Sequence, residues 1–62
     1  LKIPSETEIV TRGPLVFLIN YGTAGSRFDL PLKGKVILGS GFEDGRVDLS
    51  PRKYCVIRRE EV

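Results

Sequence analysis

The chain has 62 residues, ten Lys and Arg against eight Asp and Glu, no Met, His or Trp, and a single Cys. One Cys forbids an internal disulfide, and without His there is neither an ordinary zinc constellation nor an imidazole for acid–base chemistry. The signs behind the net charge of +2 are interspersed and no apolar run approaches the length of a membrane span, so no membrane partner is expected and nucleic acid is permitted without being indicated.

In chain order the pattern is strands throughout, because the 3.6-residue apolar period of a helix occurs nowhere. Residues 1–7, with Pro4 and Ser5, read as a lead-in loop or linker, and residues 8–62 as a single antiparallel β domain. Residues 8–12 (EIVTR) form a short β-branched segment that Gly13-Pro14 breaks with a turn signal. Residues 15–19 (LVFLI) are continuously apolar, the pattern of a central strand covered on both faces. Residues 20–22 lead into the small residues 23–26, which turn the chain back. Phe28, Leu30 and Leu32 then alternate with Asp29 and Pro31, and because Pro31 donates no ladder hydrogen bond this segment belongs on an edge or at a strand end. Residues 35–38 (KVIL) are the next strand. Residues 39–45 form a loop whose Asp44-Gly45 pair favours a tight turn with positive φ. Residues 46–49 (RVDL) alternate cleanly, Ser50-Pro51 interrupts, and residues 54–57 (YCVI) are the last strand before the charged tail 58–61. Six short strands delimited by turns predict an all-β fold, a small antiparallel sandwich or Greek-key barrel.

Few residues offer chemistry. Glu43, Asp44 and Asp48 lie in or beside a turn, where solvated carboxylates are the ordinary state. Cys55 sits within an apolar strand and has no His beside it to act as base, so it reads as a small core hydrophobe. The run from Gly39 has the form G-x-G-x-x-x-G and leads into a strand, so it lacks both the dinucleotide spacing and the helix N-terminus that holds a phosphate. No carboxylate ladder of a calcium loop is present, and no catalytic residue, metal or cofactor is expected. Phe17 and Phe28 read as core, which leaves Tyr21, Phe42 and Tyr54 as the candidates for ligand or interface contact. Arg12, Arg27, Lys33, Lys35, Arg52 and Lys53 would make a phosphate-facing stripe only if the fold gathered them, and their dispersion points to a solvated surface.

Size adds a constraint. A 6.9 kDa chain exposes roughly 10,000 Å² unfolded and roughly 4,000 Å² folded. At roughly 25 cal/mol per Å² of apolar surface, burial gives about 90 kcal/mol against about 90 kcal/mol of ordering entropy, a balance near zero. The absent Met and this thin margin together lead to the expectation of a domain from a longer chain, stabilised by a larger body or an oligomer. The lone thiol fits a reducing compartment, and a cytoplasmic location is expected.

The order of elements resembles a known family. The run EIVTRG (8–13), LVFLINY (15–21), FDLP (28–31), ILG (37–39), GRVDLSP (45–51) and CVI (55–57) is similar to the small C-terminal β domain of bacterial glycoside hydrolases, in particular the β-galactosidases of family forty-two. There an R-G turn precedes an FLLN strand, followed by LP, LL-x-G and a closing L-x-P with a valine-rich strand. The C-terminal domain of α-amylase-type enzymes looks similar over FLIN and L-x-P. The resemblance implies a noncatalytic accessory and stabilising domain, docked on the catalytic domain of its parent chain or on a neighbouring subunit, with carbohydrate met only indirectly. The two catalytic glutamates of such enzymes belong to a separate barrel, so Glu6, Glu8, Glu43, Glu60 and Glu61 inherit no role. Two alternatives stand beside it. One is a small nucleic-acid-binding barrel, the other a protein-interaction module with an exposed edge beside residues 28–32.

Overall fold

The computed structural model describes residues 3–60. These form seven strands: β1 Thr7–Arg12, β2 Leu15–Asn20, β3 Ser26–Asp29, β4 Gly34–Gly39, β5 Phe42–Glu43, β6 Arg46–Leu49 and β7 Tyr54–Arg59. Four of them make an antiparallel sheet in the order β1-β2-β7-β4, and three make a second in the order β3-β6-β5. Val16, Leu18, Cys55 and Ile57 of the first sheet meet Leu30, Val47 and Leu49 in one core, with Ile9, Phe28, Leu32, Val36 and Phe42 packed around it.

The turns follow from local sequence. Arg12 and Leu15 face each other across the two-residue connection Gly13-Pro14, with Gly13 at φ 57°. Glycine with positive φ followed by the fixed negative φ of proline suits a type II′ hairpin. Asp44 and Gly45 both have positive φ, 50° and 75°, and join Glu43 to Arg46 in a type I′ turn. That hairpin carries the strand absent from the sequence reading. At two residues β5 is too short to show alternation, although its turn is legible.

Several strand boundaries differ from the sequence reading. The segment 28–32 lies on an edge as expected, but β3 ends at Asp29, and Leu32 N–H donates to Leu30 C=O (2.7 Å) in a tight turn over Pro31. The charged 58–59 pair continues β7, because Arg58 and Arg59 stand opposite Lys35 and Gly34 of β4. β1 begins at Thr7, one residue inside the expected lead-in. Leu1 and Lys2 of that lead-in, and Glu61 of the expected tail, lie outside the described residues.

Asn20 clasps the two sheets together. It ends β2 with its side chain buried, and its Nδ2 donates to the carbonyls of Ala24 (2.9 Å), Leu49 (3.0 Å) and Ser50 (3.2 Å). Its Oδ1 accepts from Gly22 N–H (2.9 Å), an Asx turn that reverses the chain after β2. One amide thus ties the end of a strand in the first sheet to the loop before β3 and to the end of β6. The hydroxyls of Thr7 and Ser26 are hydrogen-bonded partners linking β1 to β3. The chain returns to the second sheet through Gly39 at φ 77°, where a Cβ would strike the Tyr54 carbonyl. Only glycine fits there.

Asn20→Ala should cost about 3 kcal/mol in urea unfolding, since it leaves a buried N–H and several carbonyls unpaired. Asn20→Asp should be at least as destabilising at pH 7, because it sets a carboxylate against three carbonyl oxygens. Those oxygens and burial raise the folded-state pKa of the new acid above its unfolded value, so the deficit shrinks as the pH falls toward 4. A loss below about 1 kcal/mol in both variants would remove the clasp from this account.

A candidate docking face on the four-stranded sheet

The outward faces of the two sheets differ in kind. The second sheet presents Arg27, Asp29, Glu43, Arg46 and Asp48, all exposed. Opposite charges stand across the strands: Arg27 opposite Asp48 (Nε to Oδ1 3.3 Å), and Arg46 opposite both Asp29 and Glu43. This is a solvated sheet face, and the alternation of RVDL encodes it.

The first sheet carries apolar side chains on both sides, and its charged residues flank the apolar ones on the outer face. Its inner face carries Val16, Leu18, Cys55 and Ile57. On its outer face, register aligns Val10, Phe17, Val56 and Leu38 in one row across all four strands. The next row holds Glu8, Ile19 and Tyr54. The row on the other side holds Arg12, Leu15, Arg58 and Lys35. Val10 is 37% exposed, Ile19 38%, Leu38 53% and Tyr54 51%, while Val56 is covered by its neighbours. Ile37, the extra residue of a β-bulge opposite β7, adds a further 51% exposed side chain. The sequence reading of residues 15–19 expects cover on both faces of this strand. Within the described residues the second sheet covers one.

The three aromatic candidates separate. Tyr21 and Tyr54 are both about half exposed and line one open groove with Ile19, Arg52 and Lys53, at the end of the apolar face. Phe42 lies on the inner side of β5 and packs against the core. The six cations considered for a phosphate stripe are not gathered. Arg12 and Lys35 share the outer row of the first sheet, Arg27 lies on the second sheet paired with Asp48, Lys33 sits in the connection between β3 and β4, and Arg52 and Lys53 sit in the connection between β6 and β7. Among the described residues no group of three His, Cys, Asp or Glu side chains converges in a way that would hold a metal ion. Phe17, expected in the core, lies on this outer face because it alternates with Val16 and Leu18, and Val10, Leu38 and Val56 belong to the face without having been singled out in the sequence. For Leu38 and Val56 the signal is the unbroken apolar run of β4 and of β7, set against the strict alternation of β6; for Val10 it is the adjacent pair Ile9-Val10 in β1.

Cys55 is fully buried, and desolvation raises its thiol pKa. The buried thiol is therefore held protonated and shielded from electrophiles.

A two-sheet antiparallel fold with one outer face wholly charged and the other crossed by an apolar row defines a small all-β domain with a surplus apolar surface. A family model described as the beta-galactosidase C-terminal domain matches residues 6–59, a span that includes every strand. The chain belongs to that family, the C-terminal domains of glycoside hydrolase family 42. No curated protein and no solved structure matches it.

The Cys55 thiol should resist alkylation in the native chain at pH 8 and react at the rate of a free thiol once the chain is unfolded in urea. Because its folded pKa is raised, its contribution to stability is fully present below the unfolded thiol's ordinary value of 9.0 and is lost as the pH climbs through the folded one. Cys55→Ala should abolish that alkaline component of the unfolding profile. Rapid native alkylation would contradict the placement.

Proposed function

We propose that this chain is the noncatalytic brace of a glycoside hydrolase, docking the outer apolar face of its four-stranded sheet on the catalytic body of its parent chain or on a neighbouring subunit. The observation that carries this reading is the row Val10, Phe17, Val56 and Leu38, which is apolar across every strand, while the opposite side of the molecule is charged at every outward position. Contiguous apolar surface of this kind, rimmed by charge, is characteristic of protein contacts. Covering the exposed parts of Val10, Ile19, Ile37, Leu38 and Tyr54 contributes on the order of 1 kcal/mol each, which is decisive for a chain whose own balance lies near zero.

Family membership supports the nature of the partner. The parent reaction is hydrolysis of a terminal galactoside or related sugar by two carboxylates outside this chain, and this domain acts on it only by holding the fold that positions them. Tyr21 and Tyr54 fall at the margin of the docking face, where a ring packs against the partner and its hydroxyl stays wet. Phe42 serves the domain's own core. The nucleic-acid reading has no comparable support, since its cations lie on separate faces. The peptide-edge reading at residues 28–32 meets a four-residue strand ended before Pro31.

In the parent hydrolase, Leu38→Lys should lower the melting temperature by several degrees while leaving turnover per folded molecule unchanged. Glu43→Lys, on the charged face, should do neither. Lost turnover with unchanged melting in Leu38→Lys would overturn the bracing role.

A further inference from the structure

Among the described residues the two sheets end in four edges, and three are blunted. β5 has two residues, β3 has four and is followed by Pro31, and β4 is broken by the bulge at Ile37. Short strands, prolines and bulges are the usual devices against edge pairing. β1 is different. It has six residues, TEIVTR, with no proline or glycine, and pairs with β2 in unbroken register.

Its free hydrogen-bonding groups can be assigned. Arg12 and Leu15 flank a two-residue turn and so form a hydrogen-bonded pair, and alternation makes Val10 and Glu8 bond to β2 as well. The N–H and C=O groups of Ile9 and Thr11 therefore point away from the sheet, and neither residue makes another backbone hydrogen bond among the described residues.

We propose that β1 pairs antiparallel with β1 of a second copy of this chain, on a two-fold axis at Val10. In that register Ile9 and Thr11 exchange backbone hydrogen bonds with Thr11 and Ile9 of the second copy, as the outward groups require. Val10 meets Val10 as a close non-hydrogen-bonded pair. Glu8 stands opposite Arg12 of the second copy and Arg12 opposite its Glu8, so the sequence is charge-complementary to itself in this one register. The apolar row then runs unbroken through both copies, from Leu38 of one to Leu38 of the other. The inference does not rest on the bracing role, because it uses the edge of the sheet and not its face.

Sedimentation equilibrium of the chain, from about 10 µM to about 1 mM to cover the range of a small interface, tests it. The mass should rise with concentration toward twice 6.9 kDa. Glu8→Arg and Arg12→Glu singly should weaken association about tenfold by placing like charges across the pair, and the double swap E8R/R12E should restore it. Thr11→Pro removes an N–H that β2 does not use, and should leave the β-sheet circular dichroism intact while abolishing association. Should Thr11→Pro disturb the fold, the charge swap decides alone. A monomeric mass throughout in a chain whose circular dichroism shows the β-sheet formed, association indifferent to Thr11→Pro in a folded chain, or a double swap that fails to restore pairing would overturn the proposal. Leu38→Lys, which tests the docking face, should leave this association unchanged.

Discussion

Two sheets meet across one core, and only one of them is built to face water on its far side. The three-stranded sheet alternates apolar and charged residues, so Val47 and Leu49 go inward while Arg46 and Asp48 go outward. The four-stranded sheet divides less sharply: its charged residues lie on the outer side, yet β2 presents Val16 and Leu18 to the core and Leu15, Phe17 and Ile19 to that outer side. A 62-residue chain forming two such layers covers one side of that sheet among its described residues. The hydrophobic effect makes the uncovered side a standing cost in isolation and a driving force for association. The docking proposal follows from this asymmetry.

The asymmetry is maintained by polar contacts at the sheet ends. Asn20 sits where β2, the following loop and the end of β6 converge, and its amide answers several backbone groups that would otherwise be buried without partners. Gly39 does complementary work at the crossing from β4 into the second sheet, where backbone passes so close to Tyr54 that a side chain has no room.

Much of this was legible in the residues, and the remainder was hidden for physical reasons. Strand positions came through because β-branched runs and Gly or Pro turns are local signals, as with residues 8–12 ahead of Gly13-Pro14 and the Asp44-Gly45 turn. β5 was hidden because two residues cannot display a period. The extension of β7 through Arg58 and Arg59 was hidden because it depends on β4 lying alongside, a contact distant in sequence. Of the site candidates, the two tyrosines do fall beside the apolar face, whereas Phe42 is turned into the core by the short hairpin it opens. The row linking Val10 to Leu38 requires strand order β1-β2-β7-β4, which no local pattern specifies.

The claim that the outer face of the four-stranded sheet is an interior surface of a larger hydrolase can be tested by hydroxyl-radical footprinting of the isolated chain and of its parent enzyme side by side. The account predicts that Phe17, Leu38 and Tyr54 are labelled in the isolated chain and strongly protected in the parent, with Arg27 and Arg46 on the charged face labelled alike in both. Equal labelling of Leu38 and Tyr54 in the two would contradict it.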